Sequence, residues 1–151
     1  MASYTNNDIR SALQKHISSL PGLTKYIVYD NVLFDAENPN PEDPTERATE
    51  YISTEYIPTI NVPAVRGVNP QLYYQGIFTV TVFIGEGTGV FKAENYATII
   101  TEGFKATSGI SYTNLSGEKI SVSIRYVERQ RGLVDTPWYF IPINIGWYIY
   151  N

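Results

Sequence analysis

A few groups of residues in this chain have types and spacings that could do chemistry. Gly85, Gly87 and Gly89 form a Gly-x-Gly-x-Gly run between an expected strand and an expected helix. Backbone N–H groups at such a junction can hold a phosphate. Here the spacing is not Gly-x-Gly-x-x-Gly, and no Lys-Ser or Lys-Thr follows. The run therefore reads as a tight turn that needs positive φ. His16 is the only histidine. It falls on the apolar stripe of an expected helix, which favours a packed ring over an acid or base. Residues 35–50, DAENPNPEDPTERATE, hold six acids, one arginine and three prolines. Their spacing does not match a calcium-binding EF-hand loop. A long acidic loop inside a small domain more often serves a partner surface.

Catalysis has little to work with. No cysteine supplies a thiolate or a disulfide. No Gly-x-Ser-x-Gly frames a serine nucleophile. A pair of carboxylates could hydrolyse a glycoside, but the acids crowd into one proline-rich loop where a fixed separation is hard to hold. We therefore expect no enzyme, with no catalytic, cofactor-binding or metal-ligating residue. The expected contact residues are Asp35, Glu37, Glu42, Asp43 and Glu46 in the loop, and Arg125, Arg129 and Arg131 near the end of the chain. Each arginine offers a planar fork that fits a carboxylate or a phosphate. Arg129 and Arg131 could pair with the acidic loop of a neighbouring copy.

Composition narrows the classes further. The formal charge is −4, so a global attraction to DNA or to an anionic membrane is not expected. No run has membrane-spanning length, and MASYTNNDIR lacks the layout of a secretion signal. Thirteen tyrosines, two tryptophans and six phenylalanines suit half-buried places where a ring packs and a polar tip stays wet, subunit interfaces among them. Exposed rings could instead stack on sugars, which keeps a carbohydrate-binding module as an alternative.

The elements that must position these residues are readable from periodicity. Thr5-Asn-Asn-Asp8 resembles a capping box. Behind it Ile9, Ala12, Leu13, His16, Ile17 and Leu20 keep helical spacing until Pro21-Gly22. Residues 26–34 have strand character, interrupted at Asp30-Asn31, and residues 51–57 form a strand stopped by Pro58. A connection over 61–72 carries Pro63, Arg66, Gly67 and Pro70. From 77 to 84, Phe78, Val80, Val82 and Ile84 alternate with Ile77, Thr79, Thr81 and Phe83. Ala93, Tyr96, Ala97, Ile100 and Phe104 then form a helical stripe. A short strand is expected over 109–113, a turn over 114–118, and a strand over 119–126 with Ile120, Val122, Ile124 and Tyr126 inward. Residues 128–137 read as a loop. Residues 138–150 read as a strand, where Pro142 and Gly146 argue for a bulge or an edge. The expected architecture is α+β over one domain, 1–151. It has a mostly antiparallel sheet of about four long strands, with two helices packed on one face.

In this order, the elements resemble the tail terminator proteins of long-tailed bacteriophages. The similarity lies in the N-terminal helix, in Tyr29-Asp-Asn-Val-Leu-Phe34, and in the Pro/Asp-rich loop with its following strand. It continues in Tyr73-Tyr-Gln-Gly76 opening the long strand and in Gly85-Glu-Gly-Thr-Gly89 leading to a helix with Ala97 and Phe104. The aromatic C-terminal strands complete it. The resemblance implies a virion protein made in the host cytoplasm. It would form a homo-oligomer, a hexameric ring, at the head-proximal end of the tail. There it would cap the tail tube protein, stop polymerisation and dock the head or neck connector, with genomic DNA passing through the lumen unbound. A neck or head-completion ring protein is the structural alternative.

Overall fold

The computed structural model describes residues 5–59, 62–63, 72–105 and 109–150, with the backbone alone at 62, 63, 72, 73 and 150. Most of the expected 61–72 connection, including Arg66, lies outside the described residues. The element order is α1 (Asn6–Ser19), β1 (Ile27–Val28), β2 (Glu50–Pro58), β3 (Val62–Pro63), β4 (Leu72–Gly85), α2 (Phe91–Gly103), β5 (Gly109–Thr113), β6 (Lys119–Arg129), β7 (Leu133–Asp135) and β8 (Trp138–Tyr150).

Helix α1 starts where its side chains can satisfy the first free N–H groups. The Asp8 amide donates to Thr5 Oγ1 at 3.2 Å, and the Thr5 amide donates back to Asp8 Oδ2 at 3.1 Å. The helix stops at Leu20, whose backbone is extended, and Gly22 follows with φ of +86°. Its buried stripe is Ile9, Ala12, Leu13 and Ile17. Helix α2 follows β4 through Gly87 and Gly89, with φ of +85° and +86°, a backbone region that few L-residues adopt. It buries Ala93, Tyr96, Ala97 and Ile100.

The sheet was expected to be mostly antiparallel with about four long strands, and the structure corrects this. Among the described residues eight strands join one mixed sheet in the order β1-β2-β4-β8-β6-β5, with β3 on β4 and β7 on β8. The sheet curls into a half-barrel. β1 runs parallel to β2, while the other ladders are antiparallel. The physical reason is length. Strands of two or three residues give no period to read, so β3 and β7 carry no alternation signal, and the strand expected over 26–34 is only the two residues of β1.

One face of this sheet is the core. Phe78, Val80, Val82, Ile120, Val122, Ile141, Ile143 and Ile145 are fully buried, and both helices contribute to the same apolar cluster. Each such side chain contributes about 1.5–3 kcal/mol relative to staying in water. Phe104 closes the cluster between the helices. His16 meets its ring edge-on at 4.7 Å and donates from Nε2 to the Gly103 carbonyl at 2.7 Å. The histidine thus joins the two helices.

Two expectations about the C-terminal strands change. β8 is neither bulged nor at an edge: it pairs with β4 from Tyr150 to Trp138 and with β6 and β7 on its other side. The bulge lies opposite, in β6, between Ile124 and Tyr126. The extra residue is Arg125, so Tyr126 turns outward over Gly146 rather than inward, and Val127 takes the inward position against the core. Pro142 is tolerated for a related reason. Its carbonyl accepts from the Gln130 amide, and a strand residue points its N and O to the same side. The missing N–H therefore falls where β6 has ended and β7 has not begun. The expected 128–137 loop shrinks accordingly, since Glu128 and Arg129 finish β6 and residues 133–135 are β7.

Two substitutions test this packing. Phe104→Ala should lower unfolding free energy by about 3–5 kcal/mol, read from denaturant melts. Gly76 faces the core beneath Trp147, and a Cβ there would sit 2.4 Å from the Ile57 carbonyl and 2.5 Å from the indole ring. Gly76→Ala should therefore cost about 1–3 kcal/mol in the same melts, because backbone and a buried ring must both shift.

Candidate interaction site

The acidic loop is pinned at its neck and ordered by its own side chains. The Ala48 amide donates to the Ala36 carbonyl at 2.7 Å, and Ala48 is buried. Between them lie local turns of one kind, in which a short polar side chain accepts from an amide two residues on. Asp35 Oδ1 takes the Glu37 amide at 3.0 Å, Asn40 Oδ1 the Glu42 amide at 3.1 Å, and Asp43 Oδ1 the Thr45 amide at 3.0 Å. Arg47 folds back on the Pro44 and Glu46 carbonyls. The prolines and these turns explain a described conformation without helix or strand.

The expected acids divide by use. Glu46 turns toward the sheet, accepting from Tyr26 Oη at 2.6 Å and pairing with Lys25 at 3.5 Å. Glu50 leaves the loop and opens β2, where it meets Lys92 at 2.7 Å and Tyr96 Oη at 2.7 Å. Glu37, Glu42 and Asp43 are exposed. Among the described residues, no group of three or more acids, histidines or cysteines gathers where an ion could sit. The Thr45 hydroxyl, then its amide, hold the Asp43 carboxyl below the usual carboxylate range. Hydrogen bonding to Glu46 raises the Tyr26 phenol. Burial, followed by Glu50, raises Tyr96.

Beside the loop, the sheet face away from the helices carries a row of rings. Phe34 lies 4.8 Å from Tyr51, Tyr51 stacks on Phe83 at 4.5 Å, and Phe83 stacks on Phe140 at 5.5 Å. Trp138 meets Tyr51 edge-on at 5.1 Å. The register places Tyr51, Phe83 and Phe140 side by side. A groove of about 340 Å³ runs between this row and the loop, lined by Phe34, Asp35, Glu37, Tyr51, Pro137 and Trp138. A second hollow of about 410 Å³ adjoins it at Leu33, Phe34, Asp35 and the loop prolines. Leu33 itself is fully exposed. The aromatic row was not among the expected site residues. Its signal was present as Phe83 and Tyr51 on the outward parity of their strands, but only the register joins them.

The three arginines do not form one cluster. Arg125, on the bulge, donates to Gln75 Oε1 at 3.0 Å and lies 5.2 Å from the Tyr148 ring centre. Arg129 pairs with Glu94 in the first turn of α2. Arg131 is exposed on the β6–β7 turn and forms no ion pair among the described residues. No expected arginine reaches the acidic loop of its own chain in these ion pairs. The local chemistry of the loop has one direct test. Thr45→Val removes the hydroxyl donor that favours ionised Asp43, so the Asp43 carboxyl should titrate closer to its ordinary value. Carbon-detected NMR across acidic pH reads this shift, and an unchanged titration would assign the depression to other groups.

Comparison with known proteins identifies the arrangement. The sequence model of a family described as phage tail terminator protein matches residues 8–147. No curated protein matches the chain. One solved structure shares the fold at a TM-score of 0.68 and 18% identity, covering 99% of this chain and 97% of its own. The family is structural rather than enzymatic, and its members are components of the virion tail. With the match running from the first turn of α1 into the last strand, the chain belongs to the phage tail terminator family and serves a structural role in the phage tail.

Proposed function

We propose that this chain is a ring-forming subunit that caps the head-proximal end of the tail tube. In this reading, 1–151 is one domain made in the host cytoplasm, and copies of it close into a hexameric ring. The ring ends polymerisation of the tube protein and presents its other surface to the head or neck connector. The single observation that carries the reading is the family match over 8–147. Physical features support it. Around the groove, Leu33 is exposed, and aromatic rings of Phe34, Tyr51 and Trp138 line the surface, the kind of side chain enriched where subunits meet. Among the described residues β5 and β7 each pair with one strand only, leaving edges that an assembly would cover. The charge of −4 suits DNA passage through a lumen without retention.

The proposed contact residues remain those of the loop and the arginines, with different standing. Asp35, Glu37, Glu42 and Asp43 present carboxylates at the surface, whereas Glu46 is turned inward. Arg131 is the arginine available to a neighbour, while Arg125 and Arg129 already contact Gln75 and Glu94.

Two measurements test the function. Light scattering on the purified chain should give the mass of a closed ring of several subunits. Electron microscopy of a lysate lacking the gene should show overlong tails without heads. Tails of normal length beside unjoined heads would instead assign the chain to the neck.

A further inference from the structure

Strands β2 and β8 begin, and β4 ends, at the same end of the sheet. At this end the two borders of the sheet differ in character. One border is β1 with the pinned loop beside it. From the loop a groove reaches across to the β7–β8 turn, with Asp35 and Glu37 on the loop side and Phe34, Tyr51, Pro137 and Trp138 lining the rest. The other border is β7, because the β6 ladder on β8 has already ended at Ile143. Among the described residues β7 pairs with β8 alone. It exposes Leu133 at 37% and Val134 at 59%, and Arg131 sits just before it.

The carboxylates of Asp35 and Glu37 suit Arg131, which precedes β7, while β7 itself ends in the acid Asp135. Arg47, the cation within the loop, is folded onto the Pro44 and Glu46 carbonyls, and other nearby cations are paired. Lys25 is held by Glu46, Lys92 by Glu50 and Arg129 by Glu94. Neither Glu37 nor Arg131 forms an ion pair among the described residues. One border thus offers an acid-rimmed aromatic hollow, and the other a projecting arginine followed by two aliphatic side chains. An arginine over an aromatic floor gains from the ring faces as well as from the carboxylates.

We propose that the groove is filled by the β6–β7 turn of a second copy of this chain, with Arg131 of that copy on Asp35 and Glu37 and its Leu133, on the same side of the chain, against Phe34 and Pro137. This rests on the ring reading above and assigns its subunit contact. The contact joins two different surfaces, so it is heterologous and propagates around a ring in one direction. A loop-to-loop contact between copies would oppose acid to acid and is disfavoured. Docking also covers the free edge of β7.

The chain has no cysteine, which makes the test clean. Glu37→Cys and Arg131→Cys chains, co-expressed and treated with a short bis-maleimide, should link to each other as dimers. The chain carrying both substitutions should give a ladder that stops at the subunit number of the ring. Reversal supplies a second arm. Arg131→Glu should raise the concentration needed for assembly about tenfold or more, and Glu37→Arg in the same chain should restore assembly. If light scattering shows a ring but the mixed pair does not link, this contact is wrong and the ring reading stands. Self-linking of Arg131→Cys alone would replace it with a two-fold contact. A monomeric mass at all concentrations would overturn both the contact and the ring.

Discussion

The interaction on which this structure depends is the pairing of β4 with β8, from Tyr73 opposite Tyr150 to Gly85 opposite Trp138. On the helix side, each register step sets one apolar residue beside another: Phe78 by Ile145, Val80 by Ile143, Val82 by Ile141. The side-chain period of a strand is two, so a slip of one residue would turn this whole set to the other face. Everything else hangs from that register. β2 continues it on one flank, and β6 and β7 divide the other. The helices bury their stripes against the face it creates, and the aromatic row exists because the same register aligns Tyr51, Phe83 and Phe140.

What could be read from the sequence follows the length over which a pattern repeats. α1 was legible to its cap because Thr5 and Asp8 state a hydrogen-bond pair and four buried residues keep helical spacing. β4 was legible because alternation persists across it. The strand count was not, since β3 and β7 are too short to show a period, and the strand expected over 26–34 is only two residues whose parallel pairing leaves no mark in composition. Tyr126 was misplaced for a different reason. A bulge changes parity in the middle of a regular run, and Ile124, Arg125 and Tyr126 look alike with or without one. The glycine that would have warned of it, Gly146, lies on the partner strand.

The candidate site shows the same division. The acids of the loop and the arginines were visible as residue types, but which of them stay available is a matter of contacts. Arg129 looked equivalent to Arg131 until α2 brought Glu94 to it. Glu50 looked like part of the loop until it was found at the start of β2 holding Lys92 and Tyr96. His16, read from its place on the stripe as a packed ring, is half-buried, meets Phe104 edge-on and donates to the Gly103 carbonyl.

The bond between Ala36 and Ala48 has a consequence for how such a chain can change over time. It brings the two ends of the loop together, so the length between them is decoupled from the strands that follow. Closing a longer or shorter excursion at that point alters the entropy of the chain only logarithmically. Insertions, deletions and charge changes can therefore accumulate in this segment while the β2 register stays fixed. The fold holds a slowly varying frame and an exchangeable patch in one polypeptide. A lineage could then refit its assembly contacts to a diverging neighbour without having to solve the folding problem again.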